Sequence, residues 1–243
     1  MTFDVITIFP EIFNSFLRES LIARAQKKGL IKIRVHNLRK WTKDRHKTVD
    51  DRPFGGGLGM VLKIEPIYKA VQSLKSKIKS RALRQQGEAR EENGVLCDYQ
   101  KSKIILFTPR GKKFTQKMAY RFSKLDQLIM ICGRYEGVDE RVAKNIADME
   151  LSIGDYDLMG GELPAMVVIE TIARLVPGVI AKTRLLKERI TKEKGFIEYP
   201  QYTRPEVFSP KKGLFWKVPK VLISGHHKKI EEWRKKHGKA IEK

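Results

Sequence analysis

Short apolar runs that end in glycine-rich segments constrain the fold of this chain most. Leu128–Ile131 leads into Cys132–Arg141, which reads CGRYEGVDER, and Leu151–Ile153 leads into Gly154–Pro164, which reads GDYDLMGGELP. Apolar runs of this length between turn residues are typical of buried strands, and helical patterns lie between them. The alternation predicts an α/β fold, with a mostly parallel sheet and helices on both faces.

Other segments extend the same alternation. We predict strands at Phe3–Phe9, Ile31–Val35 and Lys103–Phe107, and helices from Pro10 to about Lys28, from Glu65 to Leu74, up to about Ser123, from Val138, and from Ala165 to Leu175. Residues 1–180 would form this α/β domain, with a charged insertion at about 75–102. A flexible linker at 181–198 and a small basic helical domain at 199–243 would follow it.

The glycine clusters predict a ligand pocket, although any one glycine pair could be an ordinary turn. In an open α/β sheet, ligands bind in the crevice at the carboxyl ends of the strands, and glycine lets the backbone approach a ligand closely. A third cluster, Asp50–Met60, lies in a long polar connection, and such loops are usually functional or disordered. No cluster has the spacing of a P-loop or a dinucleotide-binding fingerprint.

The charge balance points to a polyanionic partner. The chain has 50 Lys and Arg against 28 Asp and Glu, a formal charge of +22. Nucleic acid is the first candidate, and a solvated basic surface is the alternative. Half of the excess lies between Lys182 and Lys243, where 18 basic residues face 7 acidic ones.

The apolar segments and the cysteines exclude several classes of protein. The longest apolar stretches are too short and interrupted to span a bilayer, and the first residues contain no signal-like segment. We therefore expect no membrane association and a cytoplasmic location. Two cysteines, Cys97 and Cys132, cannot form a zinc site or a disulfide framework.

Five motifs together carry a family resemblance. They are Asp44–Met60, Cys132–Arg141, Ser152–Tyr156, Gly160–Met166 and Tyr202–Glu206. In this order they resemble the bacterial tRNA (guanine-N1)-methyltransferases of the TrmD type. The resemblance implies a SPOUT-type fold with a C-terminal trefoil knot, a homodimer, S-adenosylmethionine as the methyl donor, and N1 of guanosine 37 in tRNA as the acceptor. It also implies that the small basic domain at 199–243 binds tRNA.

The resemblance also implies site residues. Cofactor contacts fall on Thr108, Pro109, Gly133, Tyr135, Glu136, Ile153, Gly154, Asp155, Tyr156, Asp157, Leu158, Gly160, Gly161 and Pro164. Arg174 matches the family's active-site arginine, which would stabilise charge that develops at the guanine O6. A helix-surface salt bridge is the alternative role for this arginine.

The catalytic base is where the chain departs from the family. N1 of guanine carries a proton at neutral pH, so a positioned carboxylate must accept it. The family uses an Asp, but no Asp follows Asp157 here. Alignment from one side places the position on Ile190 and from the other at or beside Glu188. We predict Glu188 as the base, with Glu193 as the second choice.

The missing Asp keeps a second hypothesis open. The chain could be a catalytically silent tRNA- or rRNA-binding protein that retains the cofactor pocket. No spacing of residues predicts a metal site. A divalent ion such as Mg²⁺ could still bind through carboxylate and substrate oxygens.

Overall fold

The computed structural model of the chain describes residues 1–86, 101–181, 190–191 and 195–241. The chain divides into two compact units, Met1–Thr183 and Arg184–Lys243.

The first unit is built on a parallel sheet. Its strands are β1 (Thr2–Thr7), β2 (Lys32–Asn37), β3 (Asp50–Asp51), β4 (Val61–Leu62), β5 (Ser102–Lys113), β6 (Gln127–Cys132) and β7 (Met149–Ser152). Five of them form a sheet in the order β2-β1-β6-β5-β7, and every pair in it is parallel. Strands β3 and β4 form a separate antiparallel pair. The predicted α/β fold with a parallel sheet is confirmed.

Helices cover both faces of the sheet. They are α1 (Asn14–Arg18), α2 (Ser20–Lys27), α3 (Ile64–Gln86), α4 (Gln116–Phe122), α5 (Glu140–Asn145) and α6 (Glu162–Ala173), with 3₁₀ turns at Pro10–Phe13 and Leu38–Trp41. Among the described residues, none of the helices combines the length and apolar character needed to cross a bilayer.

The sheet separates the core into two layers, and its central strand β6 contributes side chains to both. Leu128 and Met130 pack on one face with side chains of α2, α4 and α6. Ile129 and Ile131 pack on the other face with side chains of α3 and α5. All six residues of this central strand are buried, which explains why its sequence is a continuous apolar run instead of an alternating one.

The prediction of one helix from Pro10 to Lys28 was wrong. The chain breaks at Glu19, which is extended (φ −108°, ψ 153°), and Ser20 has a positive φ of 50°. The break rotates the second segment so that Ile22 faces the core while Leu21 stays exposed. The Gln26 side chain donates a hydrogen bond to the Leu17 carbonyl at 3.0 Å, which satisfies a helix end that the break opens.

Helix α3 was predicted to end too early. It continues beyond Leu74 to Gln86, because residues 75–86 are almost entirely Lys, Arg, Ala, Leu, Ile and Gln and contain no Gly or Pro to stop a helix. The first part of the predicted insertion is therefore helical. Residues 87–100 of that insertion lie outside the described residues.

Strand β5 also extends beyond its predicted end at Phe107. Its parallel pairing with β7 stops at Phe107 and resumes at Lys112, so Thr108–Gly111 bulges out of the ladder. A Cβ atom on Gly111 would lie 2.5 Å from the backbone nitrogen of Leu151. Glycine is therefore needed where the bulge returns to β7.

The second unit mixes strands and helices. Strand β8 (Phe196–Glu198) pairs antiparallel with β11 (Lys239–Ile241), and β9 (Val207–Lys211) pairs with β10 (Leu214–Lys217); α7 (Lys220–Ile223) and α8 (His227–His237) complete the unit. A purely helical domain was thus an incomplete prediction. Of the predicted linker, residues 196–198 form β8, while 182–189 and 192–194 lie outside the described residues.

The bulge yields a stability prediction. We expect Gly111→Ala to lower the free energy of unfolding by about 1–3 kcal/mol, since the added methyl group overlaps rigid backbone. Gly133→Ala is the matched control, because its Cβ would meet atoms only at 3.7 Å. Urea denaturation measures both variants. Equal free energies of unfolding for the two variants would show that the backbone at the bulge accommodates the added methyl group without loss of stability.

Candidate cofactor-binding site

A cavity of about 450 Å³ lies at the carboxyl ends of β6 and β7 and at the bulge within β5. Its walls include the β5 bulge, the loop after β6 and the segment between β7 and α6. The predicted cofactor residues that line it are Thr108, Pro109, Gly133, Tyr135, Glu136, Ile153, Tyr156, Asp157, Leu158, Gly160, Gly161 and Pro164. The structure therefore brings together residues from three separate segments of sequence.

Two predicted residues, Gly154 and Asp155, are not part of the cavity lining. Asp155 is mostly exposed and pairs with Lys113. Gly154 acts on a neighbour instead, since a Cβ there would lie 2.2 Å from the Tyr156 ring. Gly154 therefore allows Tyr156 to fold back to the cavity wall.

The loop after β6 adopts a tight conformation. Tyr135 has a φ of 61°, in the left-handed region that bulky residues rarely occupy. The Gly137 N–H donates to the Arg134 carbonyl at 3.1 Å and closes the turn. Non-glycine residues in this region are found at functional sites, where surrounding contacts enforce them.

The third glycine cluster supports this loop from outside the cavity. The Glu136 N–H donates to the Met60 carbonyl at 3.1 Å, and the Leu62 N–H donates to the Gly137 carbonyl at 3.0 Å. A Cβ on Gly59 would lie 2.6 Å from Glu136 Cγ. None of Asp50–Met60 lines the cavity, so this cluster contacts its wall and does not form it.

Gly160 and Gly161 bring the segment before α6 against the end of β6. The Gly161 N–H donates to the Gly133 carbonyl at 3.0 Å, and a Cβ on Gly161 would lie 2.7 Å from Cys132 Cα. A Cβ on Gly160 would lie 2.4 Å from Arg134 Nε. Gly161 is therefore required for the close approach of two backbones, and Gly160 leaves room for the Arg134 side chain, independently of any ligand.

A buried carboxylate ties these segments together. Glu162 is 1% exposed; its Oε1 accepts a hydrogen bond from Thr7 Oγ1 at 2.6 Å, and its Oε2 accepts one from Arg134 Nε at 2.9 Å. Arg134 also donates to the Met159 carbonyl at 3.3 Å and lies over the Phe9 ring, 4.8 Å from its centroid. The network thus joins β1, the loop after β6 and the start of α6.

Cys132 lies beside this network and is chemically quiet. Burial raises the pKa of the Cys132 thiol well above its ordinary value, and the negative charge of Glu162 adds to the rise. The thiol therefore stays protonated at neutral pH, so it is a poor nucleophile and metal ligand.

An ion-pair triad lies at a second side of the cavity. Arg110 donates to Glu150 at 2.9 Å and also to Glu140, and all three residues line the cavity. These hydrogen bonds raise the pKa of Arg110, and Arg110 lowers the pKa of Glu140. Arg110 and Glu140 are therefore charged at neutral pH.

Comparison with known proteins identifies the family. The family model for tRNA (guanine-1)-methyltransferase TrmD matches residues 1–242. The chain is 48% identical to the tRNA (guanine-N(1)-)-methyltransferase of Dictyoglomus turgidum, over 96% of this chain and 83% of that protein. Its identity to the Clostridioides difficile protein of the same name is 43%, over 100% of this chain and 94% of that protein.

The chain belongs to the TrmD family. The expected family resemblance is thus confirmed over nearly the whole length.

In this TrmD-family chain, Arg174 lies away from the cavity. It caps the carboxyl end of α6 and is exposed, ten residues beyond Pro164 of the cavity wall, which is about 15 Å along a helix. Burial raises the pKa of Tyr120, and the positive charge of Arg174 opposes the rise, which places the arginine near α4. Within one chain, Arg174 is therefore not part of the cavity lining.

The candidate bases cannot be placed. Glu188 and Glu193 both lie outside the described residues, and their role stays a prediction.

Sequence reasoning missed several cavity residues. Arg110, Arg134, Glu140, Glu150 and Met159 line the cavity without having been proposed. Arg134 and Met159 stand inside the two glycine-rich motifs, so their position was an available signal. Glu140 also stands inside the Cys132–Arg141 motif, whereas Glu150 and Arg110 lie outside both motifs and come close to it only through the β5 bulge.

The buried network yields a second prediction. We expect Glu162→Ala to destabilise the protein by about 3–5 kcal/mol, because it leaves a largely buried Arg134 without its partner. Glu140→Ala breaks a largely exposed ion pair and should cost about 0–1 kcal/mol. Chemical denaturation compares the two, and similar costs would contradict a structural role for Glu162.

Proposed function

We propose that this protein transfers a methyl group from S-adenosylmethionine to N1 of guanosine 37 in tRNA. The observation that carries the proposal is the cavity at the β5 bulge and the carboxyl ends of β6 and β7, which collects residues of both glycine motifs. Membership of the TrmD family supports the same reaction.

The cavity fits the methyl donor in size and chemistry. Its volume of about 450 Å³ lies within the range of about 300–1,000 Å³ that is typical of small-molecule sites. Four carboxylate side chains and two guanidinium groups line it: Glu136, Glu140, Glu150 and Asp157, with Arg110 and Arg134. The acidic excess suits a ligand with positive sulfonium and ammonium groups, and the glycine backbone suits close contact with its adenine.

The donor would supply a methyl group on positively charged sulfur. Backbone at Gly133, Ile153 and Leu158 would hold it, together with Tyr135 and Tyr156 on the cavity wall. The loops that would hold the donor are ordered before it binds, because the Glu162 hydrogen bonds and the glycine contacts fix them. Such preorganisation lowers the cost of ordering on binding.

The chain's own contribution to the reaction would be proton transfer and charge stabilisation. A carboxylate must accept the N1 proton of guanine as the methyl group arrives; we assign this to Glu188, with Glu193 as the second choice. The guanidinium of Arg174 would stabilise negative charge on guanine O6. The acceptor base must be unstacked for N1 to reach the methyl group, and an anticodon loop presents it at low cost.

The position of Arg174 supports a homodimer. If Arg174 acts on the guanine, a second copy of the chain would have to supply it, because α6 separates it from the cavity of its own chain by about 15 Å. Its exposure leaves it available to a neighbouring subunit. Leu163 and Val167 on α6 are also exposed apolar residues that a second subunit could cover.

The chain path after β7 supports the knot that the family implies. Strand β5 lies between β7 and β6, yet the chain returns from β7 to the end of β6 at Gly161. This return passes the part of β5 where the Thr108–Gly111 bulge extends. Threading of α6 past that bulge would form a trefoil knot.

The remaining proposals concern partners and place. Residues 199–243 would contact tRNA electrostatically, and 181–198 would link them to the methyltransferase domain. A tRNA-modifying enzyme would work in the cytoplasm. The described residues contain no group of three His, Cys, Asp or Glu side chains that could hold a metal ion, and we assign Mg²⁺ no step.

Methyl transfer to tRNA transcripts tests the reaction. We expect labelled methyl from S-adenosylmethionine to enter a transcript with guanosine 37 and not one with adenosine 37. Glu188→Gln should reduce kcat by about 10²–10⁴-fold with little change in donor binding, because a general base is lost, whereas Glu193→Gln should have a small effect. Tight tRNA binding without any transfer would instead support a catalytically silent RNA-binding protein.

Subunit complementation tests whether Arg174 acts across a dimer. Arg174→Ala and Gly133→Leu, which adds a side chain to the cavity wall, should each be inactive. Co-expressed with two different tags, they should form mixed dimers that hold one intact composite site. Doubly purified dimers should then recover about half of the wild-type activity per dimer. Full inactivity of folded mixed dimers would place Arg174 and the cavity in the same subunit.

A further inference from the structure

The Tyr202–Glu206 motif lines a second cavity, within the second unit. This cavity measures about 580 Å³ and is formed by residues from the segment 199–206 and from α7 and α8. All of its lining residues belong to the second unit. The site residues that the family resemblance implies do not include this motif.

The cavity combines aromatic rings with guanidinium groups. Tyr199, Tyr202, Arg204 and Arg234 all line it. The Arg234 guanidinium lies over the Tyr199 ring, 5.1 Å from its centroid, so its fork is held in place by a cation–π contact. Tyr202 is half exposed and meets the Trp233 ring edge-on at 6.3 Å.

Tyr202 is supported from behind. Trp233 itself stacks on His237 at 4.2 Å with an interplanar angle of 20°. The edge-on contact uses one side of Tyr202 and fixes its orientation, while half of its surface remains open to solvent. A fixed aromatic ring with an open surface is a platform on which a flat ligand can stack.

The charges around the cavity select an anionic ligand. Residues 195–241 contain eleven Lys and Arg against four Glu. One of these Glu residues, Glu206, is part of the cavity wall, and its carboxylate could accept hydrogen bonds from base amino or imino groups. Rings that stack, guanidinium forks that bind phosphate and a carboxylate together match a nucleotide.

We propose that this second cavity is a binding subsite for one unpaired nucleotide of the tRNA substrate. Its base stacks on Tyr202, and its phosphate binds the guanidinium groups of Arg204 and Arg234. This inference rests on the proposed function for the choice of tRNA as the RNA. Binding at this subsite differs from general electrostatic attraction, because it depends on the aromatic ring of Tyr202 and on the planar guanidinium groups. Substitutions that remove these groups but keep the net charge should therefore weaken it.

Charge-conserving substitutions separate the subsite from the general basic surface. The probe is a fluorescein-labelled tRNA transcript, with binding measured by anisotropy at several salt concentrations. Tyr202→Leu should weaken binding by about 5- to 100-fold, since stacking of one base is lost, without changing the salt slope. Tyr202→Phe keeps the ring and should bind like the wild type. Arg234→Lys keeps the charge but loses the fork, and should weaken binding by about tenfold.

Lys212→Gln is the matched charge control. It lies in the turn between β9 and β10, outside the cavity lining. It should lower the magnitude of the salt slope by at most about 0.7–0.9, the share of one phosphate contact, with a smaller loss of affinity. Thermal unfolding and calorimetry with S-adenosylmethionine should give wild-type values for every variant. Photocrosslinking of tRNA that contains 4-thiouridine should mark the peptide with Tyr202.

The outcomes distinguish the two proposals. A wild-type protein that methylates tRNA, with Tyr202→Leu and Arg234→Lys binding tRNA normally, overturns the subsite and leaves the reaction standing. A wild-type protein that transfers no methyl group but shows these losses of affinity supports the subsite and refutes the reaction. A parallel experiment measures binding to vesicles that contain an anionic lipid. If Tyr202→Leu and Arg234→Lys weaken vesicle binding but leave tRNA binding intact, the surface is assigned to membranes and the inference is overturned.

Discussion

The cavity depends on the close approach of two backbones, where the segment before α6 meets the end of β6. Gly161 lies so near Cys132 that no side chain fits between them. This contact sets the start of α6, which then carries Glu162 into the sheet to bond Thr7 and Arg134. Arg134 in turn holds the loop after β6. Without the glycine contact, the carboxylate could not reach both partners, and the loops around the cavity would lose their common anchor.

The same contact explains why glycine motifs pointed correctly to the cavity even though some of their glycines have structural roles. Gly154, Gly160 and Gly161 each admit a neighbouring group of the protein itself. Close approach of backbone to backbone and close approach of backbone to a ligand require the same residue. The glycine motifs do border a cavity, and its use as a ligand pocket stays a prediction.

Much of the sheet could be predicted from the sequence because its strands are buried on both faces. Strand β6 is a continuous apolar run, which leaves little ambiguity about its location. The break at Glu19 and the bulge in β5 could not be predicted in this way. Both depend on which side chains the tertiary packing buries, and neither Glu19 nor Thr108–Gly111 forms a local pattern that differs from an ordinary helix or loop.

The candidate site shows the same division. Residues within the glycine motifs were predicted as neighbours because each motif follows the carboxyl end of a strand, and most of the predicted cofactor residues line the cavity. No comparable sequence pattern indicates how far apart two elements lie. The predicted helix from Ala165 to Leu175 already placed Arg174 near its carboxyl end, but only the structure shows that the opposite end of α6 lies at the cavity.

The loop that contains Phe54 and Leu58 has a mechanical consequence. Both side chains are almost completely exposed, whereas the end of the loop is fastened to Glu136 through the Met60 carbonyl and the packing of Gly59. A displacement of the exposed tip is therefore transmitted to the loop after β6, which forms part of the cavity wall. Backbone hydrogen bonds at Met60 and Leu62, and the absence of a side chain at Gly59, therefore connect an exposed apolar tip to one wall of the cavity.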